Sequence, residues 1–246
     1  MTKLTSYTRN NKTLEQLAET LFRQWFVEEA DDSWSPIRIG DVYNVSRGLS
    51  YKGSGLCENY IPGCMMMLNL NSVYEGGGYK NNGLKYYNGE FRDRHLLYPG
   101  DLIITNTEQG HEHRLIGYGA IVPQTIGDKG IFSQHIYRVT SKNKTLSVNY
   151  LYYLLKESNM REQMIGGTNG STVNMLPIES VESAKTVLPP ESKLLKFDAI
   201  AGDIQKKMES NQTQIQQLEA LRDVLLPKLM SGAIKVNTLK EQLQIN

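Results

Sequence analysis

The stretch Asn106-Thr107-Glu108-Gln109-Gly110-His111-Glu112-His113-Arg114 gathers two amides, a hydroxyl, two carboxylates, two imidazoles and a guanidinium into nine positions. Groups of this kind form paired hydrogen bonds with planar partners: Asn and Gln match adenine, Arg matches guanine, and Glu accepts from cytosine. A solvated hairpin tip has the same composition, and on sequence alone the two readings stand level. His111 and His113 could ligate a metal with Glu108 or Glu112, but no fourth ligand stands at a suitable spacing, so no metal is expected. Ser133-Gln134-His135, between Phe132 and Ile136, either offers Gln134 or His135 to a base edge or simply alternates strand faces. Gly166-Gly167-Thr168-Asn169-Gly170-Ser171-Thr172 supplies hydroxyls and backbone N–H groups suited to phosphate oxygens. It lacks the Gly-Lys-Ser/Thr of a nucleotide-binding loop, and its alternative role is to reverse the chain. Arg47, Tyr51 and Lys52 around Gly48 and Gly53 form a second loop of this type. Lys80, Lys85, Arg92 and Arg94 interleave with Tyr79, Tyr86, Tyr87 and Phe91, a mixture that suits nucleic acid or ordinary packing.

Catalytic constellations are missing from the sequence. Leu188-Pro189-Pro190-Glu191 has the prolines of a DNA-methyltransferase motif without its amide or aromatic residue, and no loop suited to S-adenosylmethionine is present. Glu191-Ser192-Lys193 has the letters of a nuclease Glu-x-Lys, but it starts a helix after two prolines. Cys57 and Cys64 have no credible base beside them and are expected to stay reduced, in the core or a loop. No cofactor is expected. The 246 residues carry a formal net charge of +1, so no bulk positive field points to a nucleic acid, although a local basic face is compatible with that balance. No apolar run approaches the ~18–20 residues of a membrane span, and the polar start lacks the apolar core of a signal peptide. The expectation is a soluble, cytoplasmic protein that does not touch a membrane.

The elements that would hold these loops follow from periodicity. Leu14, Leu17, Ala18, Leu21, Phe22, Trp25 and Phe26 form one helical face, with Thr13 and Gln16 as a capping box and Asp31, Asp32, Ser33 and Pro36 as its stop. From Ile37 short strands and turns take over: Ile37–Ile39, Asp41–Val45, Cys64–Leu70, Leu102–Thr105, Gly117–Pro123 and Ile131–Val139. Val148–Met164 reads as a helix, and Pro189-Pro190 closes the segment. Beyond it, Phe197, Ala201, Ile204, Met208, Asn211, Ile215, Leu218, Arg222, Leu225 and Leu229 alternate steps of three and four, a coiled-coil seam. Roughly 36 helical residues at ~1.5 Å rise make a rod of about 54 Å. Asn211 and Arg222 are polar seam positions of the sort that fix register, and Pro227 is expected to kink or end the rod. Leu14-Glu15-Gln16-Leu17 and Leu218-Glu219-Ala220-Leu221, each followed four residues later by a bulky apolar pair, make the two ends resemble each other. The class is therefore α+β. A mixed-sheet domain over 34–190 stands between a short helix over 1–33 and a long coiled-coil-forming helix over 191–246.

Thr13-Leu14-Glu15 with Leu21-Phe22-Arg23-Gln24-Trp25-Phe26-Val27, Pro99-Gly100-Asp101-Leu102-Ile103, and above all Leu225-Leu226-Pro227-Lys228-Leu229-Met230-Ser231-Gly232 together resemble the specificity subunit of Type I restriction–modification systems. The resemblance covers nearly the whole chain, with room for one of the two recognition domains such subunits carry. It implies a non-catalytic reader of double-stranded DNA, whose domain recognises half of a bipartite site. Its helices would set the spacing and dock modification (methyltransferase) subunits, and through them restriction subunits. The DNA-facing residues would be Arg47, Lys52, Thr107, Gln109, His111, His113, Arg114, Gln134, Thr168, Asn169 and Ser171. The helical seam would use Leu14, Leu17, Leu21, Ile204, Met208, Asn211, Ile215, Leu218 and Leu225, and a homodimer joined through it would read an interrupted palindrome. Two alternatives share the architecture: the reader of a Type II-like enzyme, and an orphan half-subunit acting only as an interaction protein.

Overall fold

Leu102-Ile103-Ile104-Thr105 is apolar on both faces but for its last residue. In the computed structural model it becomes a strand whose four residues are all buried. The model describes residues 3–81, 83–110, 112–142, 146–170 and 172–234. The chain divides into two compact units, one comprising 18–202 and the other 1–17 with 203–246.

The larger unit is built on short strands. In chain order they are β1 (Ser35–Arg38), β2 (Tyr43–Arg47), β3 (Leu56–Cys57), β4 (Met65–Leu68), β5 (Lys85–Tyr87), β6 (Leu96–Leu97), β7 (Leu102–Thr105), β8 (Thr107–Gln109), β9 (Gly119–Ile121), β10 (Gly130–Phe132), β11 (Ile136–Ser141), β12 (Val173–Met175) and β13 (Lys185–Leu188). A four-stranded antiparallel sheet runs β2-β11-β7-β9, and a five-stranded sheet runs β3-β5-β4-β10-β6. The second sheet is mixed, because β4 and β10 pair in parallel while its other pairs are antiparallel. β1 with β13 and β8 with β12 form two-stranded ribbons. The core gathers Leu68, Leu97, Ile103, Ala120, Phe132 and Ile136 from several of these strands. This is the mixed-sheet α+β architecture expected from the sequence.

The helices are α1 (Lys3–Arg23), α2 (Ile39–Val42), α3 (Val148–Leu154), α4 (Ser158–Gly166), α5 (Ile178–Ser183) and α6 (Glu191–Met230), with a π-helical turn at Gln24–Glu28 continuing α1. Within the larger unit, Phe22 and Phe26 lie 5.0 Å apart and meet Tyr150 of α3 and Phe197 of α6 at ring-centroid distances of 5.1 to 5.5 Å. Tilted and edge-on rings at such spacing add to their area burial. Trp25 joins at the margin, edge-on to Phe197. In the smaller unit, Asn211 Nδ2 donates to Asn11 Oδ1 (2.7 Å) while Asn11 Nδ2 donates to the Met208 carbonyl (3.1 Å). Ile204, Asn211 and Ile215 are buried, Leu14, Met208, Leu218 and Leu225 are half-buried, and Leu17 is exposed. A buried amide pair of this kind fixes one register, since any slip leaves polar groups unpaired.

Several local expectations need correction. The first helix begins at Lys3, so Thr13 caps nothing and its hydroxyl donates to the Arg9 carbonyl within the helix. The run Asp41–Val45 opens in the helical turn α2, where Asp41 accepts from the Arg38 amide and guanidinium. Val148–Met164 is two helices, broken at Leu155–Glu157. α6 does not end at Pro227 but continues to Met230, with one backbone donor missing from its last turn, and Gly232, at φ 71°, follows as the expected stop. Cys57 and Cys64 are joined as a disulfide rather than reduced, Cys57 ending β3 and Cys64 standing just before β4, the two strands on either side of β5.

His95, in the turn before β6, is buried and accepts the Arg92 amide on Nδ1. Burial, followed by the charges of Arg94 and Arg92, holds its pKa below the ordinary 6.5. The folded ring thus resists a proton that the unfolded ring accepts. The stability it contributes is complete above the ordinary value and is lost as pH falls through it towards the folded one. The urea midpoint should drop between about pH 7.5 and about pH 5.5, and His95→Gln should shrink that drop; an unchanged profile in the variant would discharge His95 from the effect.

Candidate nucleic-acid interface

The polar loops cluster because the strands that carry them end together. β2 ends at Arg47, and two residues later Leu49 pairs in parallel with Ser133. The Leu49 amide donates to Phe132 (2.7 Å) and the Gln134 amide donates to Leu49 (2.9 Å). Asn106, just past β7, donates its side-chain amide to the Gln134 carbonyl (3.0 Å) and its backbone amide to His135 (3.2 Å). Thr107 Oγ1 lies 3.2 Å from His135 Nδ1, and Gln134 Nε2 lies 3.3 Å from His135 Nε2. β8 then pairs antiparallel with β12, setting Gln109 opposite Val173. Asn169 closes onto β12 through reciprocal backbone bonds with Met175 (2.8 and 2.7 Å). Segments around residues 47, 107, 134 and 169, scattered through the sequence, are thereby brought to one end of the larger unit.

A groove of about 470 Å³ opens there, lined by Leu70, Glu75, Thr107, Glu108, Gln109, Leu115, His135 and Val173. Of its lining, Gln109 is exposed, Thr107 is buried and His135 half-buried; Gln134, next to His135 in the chain, is exposed. Tyr137 lies beneath, donating to the Leu176 carbonyl (2.8 Å). Burial raises its pKa, an effect that the nearby Arg47 opposes. Arg114 is exposed, with Nε 3.0 Å from Glu112 and Nη1 3.9 Å from Glu75. Exposed pairs of this kind hold weakly and leave the guanidinium available.

Other expected residues have duties within the fold. Glu108 is buried and its carboxylate accepts the amides of Arg114 (2.9 Å), Leu115 (3.3 Å) and Ile116 (3.1 Å). His113 has φ 53° and gives its carbonyl to Arg161 Nη2 (2.9 Å). Thr168 donates its hydroxyl to Ile165 (2.8 Å), Lys52 is exposed, and Lys85 donates to the Tyr51 hydroxyl (2.8 Å). His111 and Ser171 lie outside the described residues. Among the described residues no group of three or more His, Cys, Asp and Glu could hold a metal. Nor is any described helix long and apolar enough to cross a membrane. The sequence reading missed Val173 and Asn174, although Thr172-Val173-Asn174-Met175-Leu176 alternates exposed and buried residues from Val173 onward and had the period of a strand.

A sheet core that gathers loops from distant segments is a scaffold in which strands fix position and loops are free to vary. The chain belongs to the family described as the Type I restriction modification DNA specificity domain, whose model matches residues 31–220. It is 25% identical over 265 aligned positions to the Type I restriction enzyme MjaIX specificity subunit of Methanocaldococcus jannaschii, covering 94% of this chain and 55% of that protein. Its fold matches the S subunit of a Type I restriction–modification system from M. genitalium (TM-score 0.63, 16% identity, 92% of this chain and 56% of that one). It also matches the HsdS subunit of Thermoanaerobacter tengcongensis (TM-score 0.51, 14% identity, 92% and 52%). The chain thus spans about half the length of these relatives.

Proposed function

We propose that this chain is the DNA-recognition subunit of a Type I restriction–modification complex, reading one half of a bipartite site while partner subunits supply methylation and cleavage. The observation that carries the reading is the set of long-range pairings that joins Leu49 to Phe132 and Gln134, Asn106 to Gln134 and His135, and Gln109 to Val173, beside a groove lined by Thr107, Gln109 and His135. Gln109, Arg114 and Gln134 read base edges, and Arg47, Lys52 and Asn169 face the phosphate backbone, while the donors of Thr168 are taken up by the Ile165 carbonyl. Residues 34–190 act as the reader, and 1–33 with 191–246 as spacer and docking surface for the modification subunits. The test is selection from a duplex library with a randomised segment, using the full chain with modification subunits supplied. Gln109→Ala and Arg114→Ala should each lower discrimination by about 1–3 kcal/mol at one position, with assembly unchanged; unaltered selected sequences in both would remove this loop from the reader.

A second copy completes the site in this reading. Leu221, Val224, Leu226 and Met230 of α6 are 48%, 56%, 50% and 81% exposed, next to the half-buried Leu218 and Leu225. Of these, Leu221 shares a face with Leu218 and Leu225 at helical spacing of three and four; that stripe suits a self-complementary twofold interface, and a twofold reader fits an interrupted palindrome. Leu218→Glu should halve the mass in solution, measured by light scattering; a variant with the parent's mass would place the interface elsewhere.

A further inference from the structure

We propose that Glu108 and Arg161 are positioning residues that hold Gln109 and Arg114 in their reading arrangement, an inference that rests on these two side chains meeting DNA. Glu108 and Arg161 are each 8% exposed, and they grip the same short segment through opposite backbone groups. The carboxylate accepts the three consecutive amides of Arg114, Leu115 and Ile116. The guanidinium donates to the carbonyls of His113 (2.9 Å) and Ile116 (2.8 Å), and it stacks 3.7 Å from the centroid of Tyr118. Charge-assisted bonds to backbone groups are stronger than neutral ones, and here both charges are withdrawn from water. His113, between the two ends of the clamp, is the only non-glycine residue with positive φ among the described residues. Such a conformation persists where its surroundings over-determine it. Gly117 keeps the guanidinium seated: a Cβ there would stand 3.0 Å from Arg161 Nη1 and 3.1 Å from Met164 Cβ.

The clamp bears directly on the two outward side chains. Strand alternation in β8 turns Gln109 out when Glu108 turns in. Arg114 is exposed while its own amide is bonded to Glu108 and its carbonyl accepts from Gly76 (2.9 Å). Gln109 and Arg114 are therefore fixed relative to each other before DNA arrives, which lowers the ordering cost of binding. Hydrogen bonds to the groove margin convert this into sequence preference, whereas phosphate contacts elsewhere do not depend on it.

The experiment compares Glu108→Gln and Arg161→Lys with the parent chain, using the randomised duplex library and a fixed unrelated duplex as the non-specific probe. Glu108→Gln keeps the shape of the side chain, and Arg161→Lys keeps its charge but loses the fork. The ratio of selected to non-specific affinity should fall about tenfold in each, with non-specific affinity and its salt dependence nearly unchanged. A merely structural defect would instead lower both affinities together, and that result would overturn the assignment. A ratio within about twofold of the parent in both variants, with Gln109→Ala still lowering it, would sink the clamp and leave the proposed function standing. If Gln109→Ala and Arg114→Ala also change nothing, the loop is not the reader and both ideas fall. Hydrogen exchange on the parent protein needs no variant: the amides of Arg114, Leu115 and Ile116 should be protected, and exchange at the rate of open chain would refute the clamp.

Discussion

Gly48→Ala is expected to destabilise the folded chain by about 3 kcal/mol or more and to abolish sequence discrimination with it. A Cβ on Gly48 would stand 2.1 Å from the Ser133 carbonyl oxygen, 2.5 Å from its carbon and 2.7 Å from the Phe132 oxygen. All three are backbone atoms, so no side chain can rotate away. The segment is also held from both sides, by the Leu49 amide on Phe132 and the Gln134 amide on Leu49. Relief means parting these bonds, and Gln134 and His135 would move with the displaced strand. Gly53 is the control: it has no atom within 4 Å of a built Cβ and is exposed at the start of the short helical turn Gly53–Gly55, so Gly53→Ala should be close to neutral. Urea denaturation of both variants decides the matter. A Gly48→Ala midpoint equal to that of Gly53→Ala would mean that the two segments slide apart freely.

That contact shows which parts of the site could be read in advance. The buried face of α6 was legible because its signal is periodic: Ile204, Asn211 and Ile215 are all buried, and Asn211, read as a polar register-setter, bonds Asn11. β7 was legible because Leu102 to Thr105 is a short run buried on both faces. The polar loops were legible as compositions, but not as one site. Their assembly depends on pairings between distant segments, such as Asn174 Nδ2 on the Gly110 carbonyl across 64 positions, and local composition carries no trace of them. Glu108 shows the same limit from the other side. Read as a group for cytosine or a metal, it instead closes its own loop, because its partners are backbone amides that any residue would supply. The start of α1 was missed for a related reason: Lys3 to Lys12 has no apolar face to announce a helix.

Asp101→Ala should have the other large effect, about 2–3 kcal/mol, because it leaves a half-buried cation without its partner and the Tyr98 amide without its acceptor. Asp101 and Arg138 side chains are 12% and 22% exposed, with Arg138 Nε 2.8 Å from Oδ2. Nη2 donates to Oδ1 (3.1 Å) and Nη1 to the Leu96 carbonyl (3.2 Å), and the guanidinium lies 5.4 Å from the Tyr98 ring centroid. The same carboxylate accepts the Tyr98 amide (2.7 Å). Gly100, at φ 88°, makes the turn and donates to the Val122 carbonyl (2.8 Å). Pro99-Gly100-Asp101 is thus a turn that delivers one anion to β11, whose first residues adjoin His135. An ion pair in this setting contributes little net stability of its own, since desolvation offsets most of the attraction, while an orphaned charge keeps the whole penalty. Asp101→Ala with Arg138→Met should therefore recover much of the loss seen in Asp101→Ala alone. Asp101→Asn, which keeps an acceptor for Tyr98, should fall between them. If the double variant were as unstable as the single one, the cost would lie in the unsatisfied Tyr98 amide, and the turn rather than the charge would be what Asp101 maintains.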